Sequence, residues 1–194
     1  MSNIAIKGAT TGTGVFTLES PATNTDRTLT LPDEAGTVLT SGTPTVFPKG
    51  VPVFRAYLNN GGSNQSISNG EWTKITIDTE DFDSNGFFDN TTNYRFQPTI
   101  AGYYQINLGA YISFTTTGGN VAFIGLYKNG SSYTISGPIN SSISVYGPHN
   151  LSSLVYFNGT SDYVEGYAYY NSPSAVLAYG SNYTHFSGFL VRAE

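Results

Sequence analysis

The sequence has no cysteine, one methionine, one tryptophan and two histidines, and only 11% of its 194 residues are charged, against about 25% in ordinary domains. Without cysteine there is no disulfide framework, no zinc–thiolate site and no thiol nucleophile. Eight Lys and Arg, scattered singly in a chain of net charge −5, form no basic patch for nucleic-acid phosphates. Nucleic acid is therefore not an expected partner. No apolar run approaches the roughly 18 residues of a membrane span, so no membrane insertion is expected. The stretch Met1 to Gly8 lacks the apolar centre of a secretory signal. If the protein works outside a cell, another route must release it.

What the chain does have is aromatic residues, 15 Tyr and 12 Phe. Low charge alone favours disorder, but this many rings can be buried against one another and offset the chain entropy. Gly, Ser, Thr, Asn, Tyr, Val and Ile dominate, and no long segment has apolar residues at helical spacing. The period is two. In Tyr103 to Phe114, "YYQINLGAYISF", Tyr104, Ile106, Leu108, Ala110, Ile112 and Phe114 form one apolar face, with Gln105, Asn107 and Ser113 opposite. That is a half-buried antiparallel strand. In "VAFIGLYKNG", Val121, Phe123 and Tyr127 face one way and Ala122, Ile124 and Leu126 the other, and Asn129-Gly130 supplies a turn. Further strands are expected at Ser153 to Phe157, Asp162 to Tyr170 and the terminal run, bounded by Gly, Asn or Pro. Short strands at this spacing read as a sandwich or jelly roll.

The chain ends in "THFSGFLVRAE", an apolar strand with Phe189 and Val191 on one face and Phe186 and Leu190 on the other. Like the Val121 strand, it is apolar on both sides. With no helix to lay over it, it needs the opposite sheet on one face and another subunit on the other. Self-association is thus expected, with Phe186, Phe189, Leu190 and Val191 forming core and subunit interface. Gly188 is open to two readings, a bulge or a point where another backbone comes close.

Several stretches together resemble a C1q-type globular domain of the C1q and tumour-necrosis-factor jelly-roll superfamily. They are Phe54-Arg55-Ala56; Asn90 to Phe96 followed by Pro98, Ala101, Gly102, Tyr103 and Tyr104; Leu126 to Gly130; and Phe186-Ser187-Gly188-Phe189-Leu190. The resemblance covers most of residues 53–194. It implies an all-β, ten-strand jelly-roll sandwich that forms a homotrimer, with the last strand near the three-fold axis. It also implies that both termini leave at the base, so the loops at Asn59 to Glu71, Thr115 to Asn120, Ile139 to Asn150 and Asn171 to Tyr183 build the distal end.

Residues 1–46 differ in kind. They are Thr-rich with too few large apolar residues for a core, and the Pro-rich stretch Thr43 to Pro52 marks a boundary, with residues 47–52 as linker. No Gly-X-Y period is present. Instead, Pro21-Ala22-Thr23-Asn24 and Leu29 to Asp33 with Gly36-Thr37-Val38-Leu39 resemble a short repeat of bacteriophage tail-fibre proteins. This resemblance implies an extended, β-rich attachment segment that docks on a tail or other virion protein and orders only in the assembly.

Other motifs carry less. Asp81-Phe82-Asp83-Ser84-Asn85-Gly86 and Asp89 copy the first half of a calcium loop, but Thr92 stands where a bidentate acid is needed, so an acidic turn is the better reading. Gly8 to Gly14 lacks the Lys and hydroxyl of a phosphate loop. His149 and His185 have no neighbouring Ser or carboxylate motif. Neither a catalytic residue, a metal nor a cofactor is expected.

The sequence thus reads as a non-enzymatic virion protein, a tail-fibre or receptor-binding protein acting outside the host cell, whose head recognises a host surface glycan or protein. The alternatives are a purely structural fibre, adaptor or head-decoration protein, and a bacterial C1q-like surface protein. Tyr170, Asn171, Tyr179, Asn182 and Tyr183 combine flat rings with amide hydrogen bonders and are the candidate receptor-binding residues.

Overall fold

The computed structural model describes Thr11, residues 22–26, Thr28, and residues 51–113, 120–141, 146–171 and 174–194. The chain divides into two units, Met1–Gly42 and Thr43–Glu194. The strands expected within residues 1–46 lie outside the described residues, as do Phe114 and most of the loop that follows it.

In the second unit the strands are, in chain order, β1 (Val53–Tyr57), β2 (Gln65–Ser66), β3 (Trp72–Lys74), β4 (Thr79–Asp83), β5 (Phe88–Asp89), β6 (Arg95–Phe96), β7 (Gly102–Ser113), β8 (Asn120–Lys128), β9 (Ser131–Ile135), β10 (Ile139–Ser141), β11 (Tyr146–Phe157), β12 (Val164–Tyr170), β13 (Val176–Leu177) and β14 (His185–Ala193). They form two seven-stranded sheets. The first has the order β2-β13-β7-β14-β1-β4, with β11 also on β7. The second has the order β10-β8-β12-β6-β5, with β3 also on β12 and β9 on β8. All the strand ladders are antiparallel. The chain is all-β, and its segments outnumber the ten expected because several are two- or three-residue pieces. Among the described residues no helix is long and apolar enough to cross a membrane.

The period-two pattern governs what is buried. Tyr104, Ile106, Leu108, Ala110 and Ile112 of β7 all face the space between the sheets, as do Ala122, Ile124 and Leu126 of β8. Asn129 and Gly130 both take positive φ, 53° and 77°, the two-residue hairpin turn that joins β8 to β9. The core is aromatic. Phe54 of β1 stacks on Phe96 of β6 at 4.3 Å and on Phe88 of β5 at 5.3 Å, while Phe186 meets its edge at 5.4 Å. Phe157 and Tyr104 meet Phe96 edge-on. Each such ring contributes roughly 1.5–3 kcal/mol through burial, and they tie the sheets together where a disulfide is absent. The strand expected at Ser153 to Phe157 begins earlier, at Tyr146, and tolerates Pro148 because β11 has β7 as its one ladder partner and is an edge.

Candidate functional site

The register of β1 on β14 fixes the two ends of the sandwich. Val53 pairs with Phe189 and Tyr57 with His185, so the chain enters β1 at one end and the segment before His185 lies at the other. The first ends of β8 and β11 and the last end of β12 are at that far end too, since β7 runs from Gly102 beside Ala193 to Ser113 beside Tyr146. Three contacts tie the far-end loops together. Gly180 N–H donates to Leu58 O at 2.7 Å, Leu58 N–H to Thr184 O at 2.9 Å, and Tyr179 N–H to Asn64 Oδ1 at 3.2 Å. Asp78 accepts the amides of Asn59 and Asn60 at 2.7 and 2.9 Å. Gly180, at φ 112°, takes a conformation that residues with a side chain rarely adopt.

Four of the five candidate binding residues are at this surface. Tyr179 and Tyr183 are 42% and 50% exposed, and Asn182 is exposed between them. Tyr183 leans edge-on against Tyr111, with ring centroids 5.4 Å apart. Asn171 is exposed, but its side-chain oxygen accepts the Val121 amide at 2.8 Å and so caps the start of β8. Tyr170 is a correction. It is fully buried, because the inward positions of β12 run Val164, Gly166, Ala168, Tyr170, and the alternation carries to the last residue. It is core, not contact surface.

The carboxylates of the acidic turn are already engaged by the chain itself. Asp83 accepts the amides of Asn85, Gly86 and Phe88 at 3.1, 3.0 and 2.7 Å. Asp89 accepts those of Thr91, Thr92 and Asn93, and Asp81 pairs with Arg55. Among the described residues no three His, Asp or Glu groups come together as a metal would require.

The histidines lie on opposite faces of the first sheet. His149 points between the sheets and is 5% exposed; His185 lies outward, its ring over Gly109, where an added Cβ would come within 2.4 Å of it. Burial pushes both imidazoles below their ordinary 6.5, and Arg55 adds to the effect on His185. Asp89 is held well below the usual carboxyl range by the Thr92 amide first and then by Thr91 and Asn93, despite burial. Burial of Asp162 opposes its charge, but hydrogen bonds from Asn129 and Lys128 outweigh it and lower its pKa. Glu80, raised by slight burial and by Asp83, works in the opposite direction at the surface. Below 6.5 the unfolded chain takes up histidine protons that the folded chain refuses, so stability falls as pH drops through that value. The lowered aspartates add a second loss below about 4. Thermal melts are expected to show a lower midpoint at pH 5.5 than at pH 7.5, and lower still at pH 3.5. A midpoint that rises on acidification would contradict this account.

Each sheet also carries apolar groups on its outer face. On the first sheet Val53, Phe189, Gln105 and Leu154 form one row across four strands, with Val53 38%, Phe189 45% and Leu154 50% exposed. Val191 and the paired rings of Tyr103 and Tyr156 lie beside it. Phe186 and Leu190 turn inward, the first fully buried and the second packed on the core. On the second sheet Phe123 and Tyr127 share the outer face with other rings, beside the partly buried Val121. Trp72 lies against Phe123 and Tyr127, Tyr169 against Phe123, and Tyr167 against Tyr127, all from the same sheet. Sequence reasoning missed these partners, although the alternation of Tyr167 and Tyr169 with Gly166 and Ala168 carried the signal.

Two antiparallel sheets packed face to face make the described part of the head a jelly-roll sandwich. In fold it is similar to murine APRIL at pH 5.0, at 9% identity over 73% of this chain and 100% of that one (TM-score 0.52). It is also similar to Eiger TNF from S. frugiperda, at 7% identity over 75% of this chain and 96% of that one (TM-score 0.52). A third likeness is to the PRD1 vertex protein P5, at 16% identity over 74% of this chain and 99% of that one (TM-score 0.51). No protein-family model matches the sequence, and no curated protein does.

Proposed function

We propose that the protein is a trimeric attachment component of a phage virion. In this reading residues 1–46 mount it on a tail or other virion protein, residues 47–52 are the linker, and residues 53–194 form a non-enzymatic head. The exposed group of Tyr179, Asn182 and Tyr183, with Asn171 beside β8, recognises a glycan or protein on the host surface. The observation that carries the reading is the opposition of ends. Val53, which continues from the mounting segment, and the Tyr179–Tyr183 turn stand at opposite ends of the β1–β14 ladder, so a head anchored through one presents the other. The row of exposed apolar residues on the first sheet supports self-association, since contiguous patches of this kind mark interaction surfaces. Likeness to a phage vertex protein supports a place in the virion.

The double variant Tyr179→Ala/Tyr183→Ala is expected to assemble and melt as the wild type does, because both rings are half-exposed and the Tyr179 backbone bond to Asn64 remains. Binding of the labelled protein to host cells should fall roughly tenfold or more, as loss of aromatic anchors does. The likeness to a vertex protein favours equally a structural fibre, adaptor or decoration protein. Unchanged adsorption of the double variant would select that reading.

A further inference from the structure

The outer face of the second sheet carries an aromatic surface that attachment through the end loops does not use. Trp72 on β3, Tyr169 on β12 and Phe123 on β8 are aligned across three neighbouring strands by their register. The indole of Trp72 lies 5.6 Å from the Tyr169 ring, 5.7 Å from Tyr127 and 6.3 Å from Phe123. Beneath it is Gly125, where a Cβ would come 3.2 Å from the indole Cζ3. A glycine there lets the indole settle over the strand. Together Trp72, Val121, Phe123, Ile135 and Tyr169 line an open depression of about 250 Å³. On the neighbouring positions Lys74 Nζ and Glu165 Oε1 meet at 2.5 Å, and the Tyr167 hydroxyl donates to the other carboxylate oxygen at 3.4 Å.

We propose that this depression binds a neutral sugar ring of a surface glycan, stacked on Trp72. Charge decides the class of ligand. The chain is acidic, with net charge −5, so phosphates and anionic lipid surfaces are disfavoured. The cation adjoining the rings, Lys74, is neutralised by Glu165, and a charged ligand would lose its water there without gaining a partner. The depression is below the roughly 300–1,000 Å³ of drug-sized pockets and takes a single ring. A pyranose fits these limits. Its face of C–H bonds packs against the electron-rich face of an indole, while its hydroxyls stay at the rim in water. The proposal is independent of where the end loops bind. The surface belongs to the sheet opposite the Val53–Phe189–Leu154 row.

Trp72 is the only tryptophan, so its emission reports on this surface alone. The full chain is titrated with the methyl glycosides of glucose, galactose and N-acetylglucosamine. At least one should give a saturable change in emission with half-saturation on the order of 1 mM, the affinity expected of a single ring. Phe123→Ala and Tyr169→Leu should each raise the half-saturation at least about tenfold, and Tyr179→Ala/Tyr183→Ala should leave it unchanged. Should either ring variant fail to fold, saturation-transfer spectra of the wild type decide: magnetisation must pass from indole and phenyl protons to the sugar ring protons. Absence of a saturable change up to about 100 mM of all three glycosides, or a change that neither ring variant weakens, overturns the proposal. Loss of the emission change in the end-loop double variant would likewise overturn it and assign sugar binding to the loops.

Discussion

Gly188→Val is expected to destabilise the head severely. Gly188 lies in the middle of β14, with Phe54 paired to it on β1 and Ile106 on β7. A Cβ added there would come within 2.7 Å of Ile106 Cδ1, 2.8 Å of the Gln105 carbonyl oxygen and 2.9 Å of Phe54 Cε1. The carbonyl belongs to β7 and moves only with its ladder, and Phe54 is already stacked between Phe88 and Phe96. Overpacking ordinarily costs about 1–3 kcal/mol; with backbone on one side and a stacked ring on the other, valine should reach or exceed the top of that range. Total stability is about 5–15 kcal/mol, so the loss is a large share of it. Urea denaturation checks this, with Gly188→Ala expected between wild type and valine. A valine variant with the wild-type midpoint would mean that the strands are not this close.

If the head self-associates as proposed, Phe189→Asp is expected to give a folded monomer, whereas Leu190→Asp should destabilise the fold itself. The two residues are neighbours in sequence with opposite surroundings. Phe189 is 45% exposed on the outer face, between Val53 and Gln105. An aspartate there remains in water in the single chain and loses it only when another copy covers the row, where an unpaired charge costs several kcal/mol. Leu190 is partly buried against the core, so its replacement sets a charge against apolar neighbours of its own subunit. Sedimentation at micromolar concentration separates the outcomes, with circular dichroism to verify the fold. A monomeric wild type would overturn self-association through this face, and an assembled Phe189→Asp variant would move the interface elsewhere.

Local rules were legible in the sequence and long-range ones were not. The inward face of β7 follows from alternation alone, and the Asn129-Gly130 turn from the backbone freedom of those two residues. The ending was legible as a strand apolar on two faces, and of the two readings of its glycine the close approach of another backbone holds, with the Gln105 carbonyl oxygen 2.8 Å from an added Cβ. Gly188 stands in unbroken register, and the irregularity falls instead between Leu190 and Arg192. What decides the matter is Ile106 on β7 and Phe54 on β1, both far from Gly188 in the chain, a proximity that no local pattern encodes. The Trp72 surface escaped for the same reason, since its rings come from three strands that meet only through sheet pairing. Tyr170 was misassigned for a local reason: its residue type suits binding, yet its place in the alternation of β12 puts it inside.

The β1–β14 ladder also has a mechanical meaning. A pull on residue 53 from the mounting side, resisted by a grip at the far end, acts along the length of β1. That strand is flanked by β14 on one side and β4 on the other, and antiparallel hydrogen bonds run perpendicular to the strands. The force is therefore shear, shared among the bonds of two ladders at once, rather than an unzipping that meets them one by one. Glu194 lies beside Ala101, which accepts its amide at 3.1 Å. A head suspended by β1 is held by a strand with a neighbour on each side, so tension would be borne by an interior strand instead of peeling an edge.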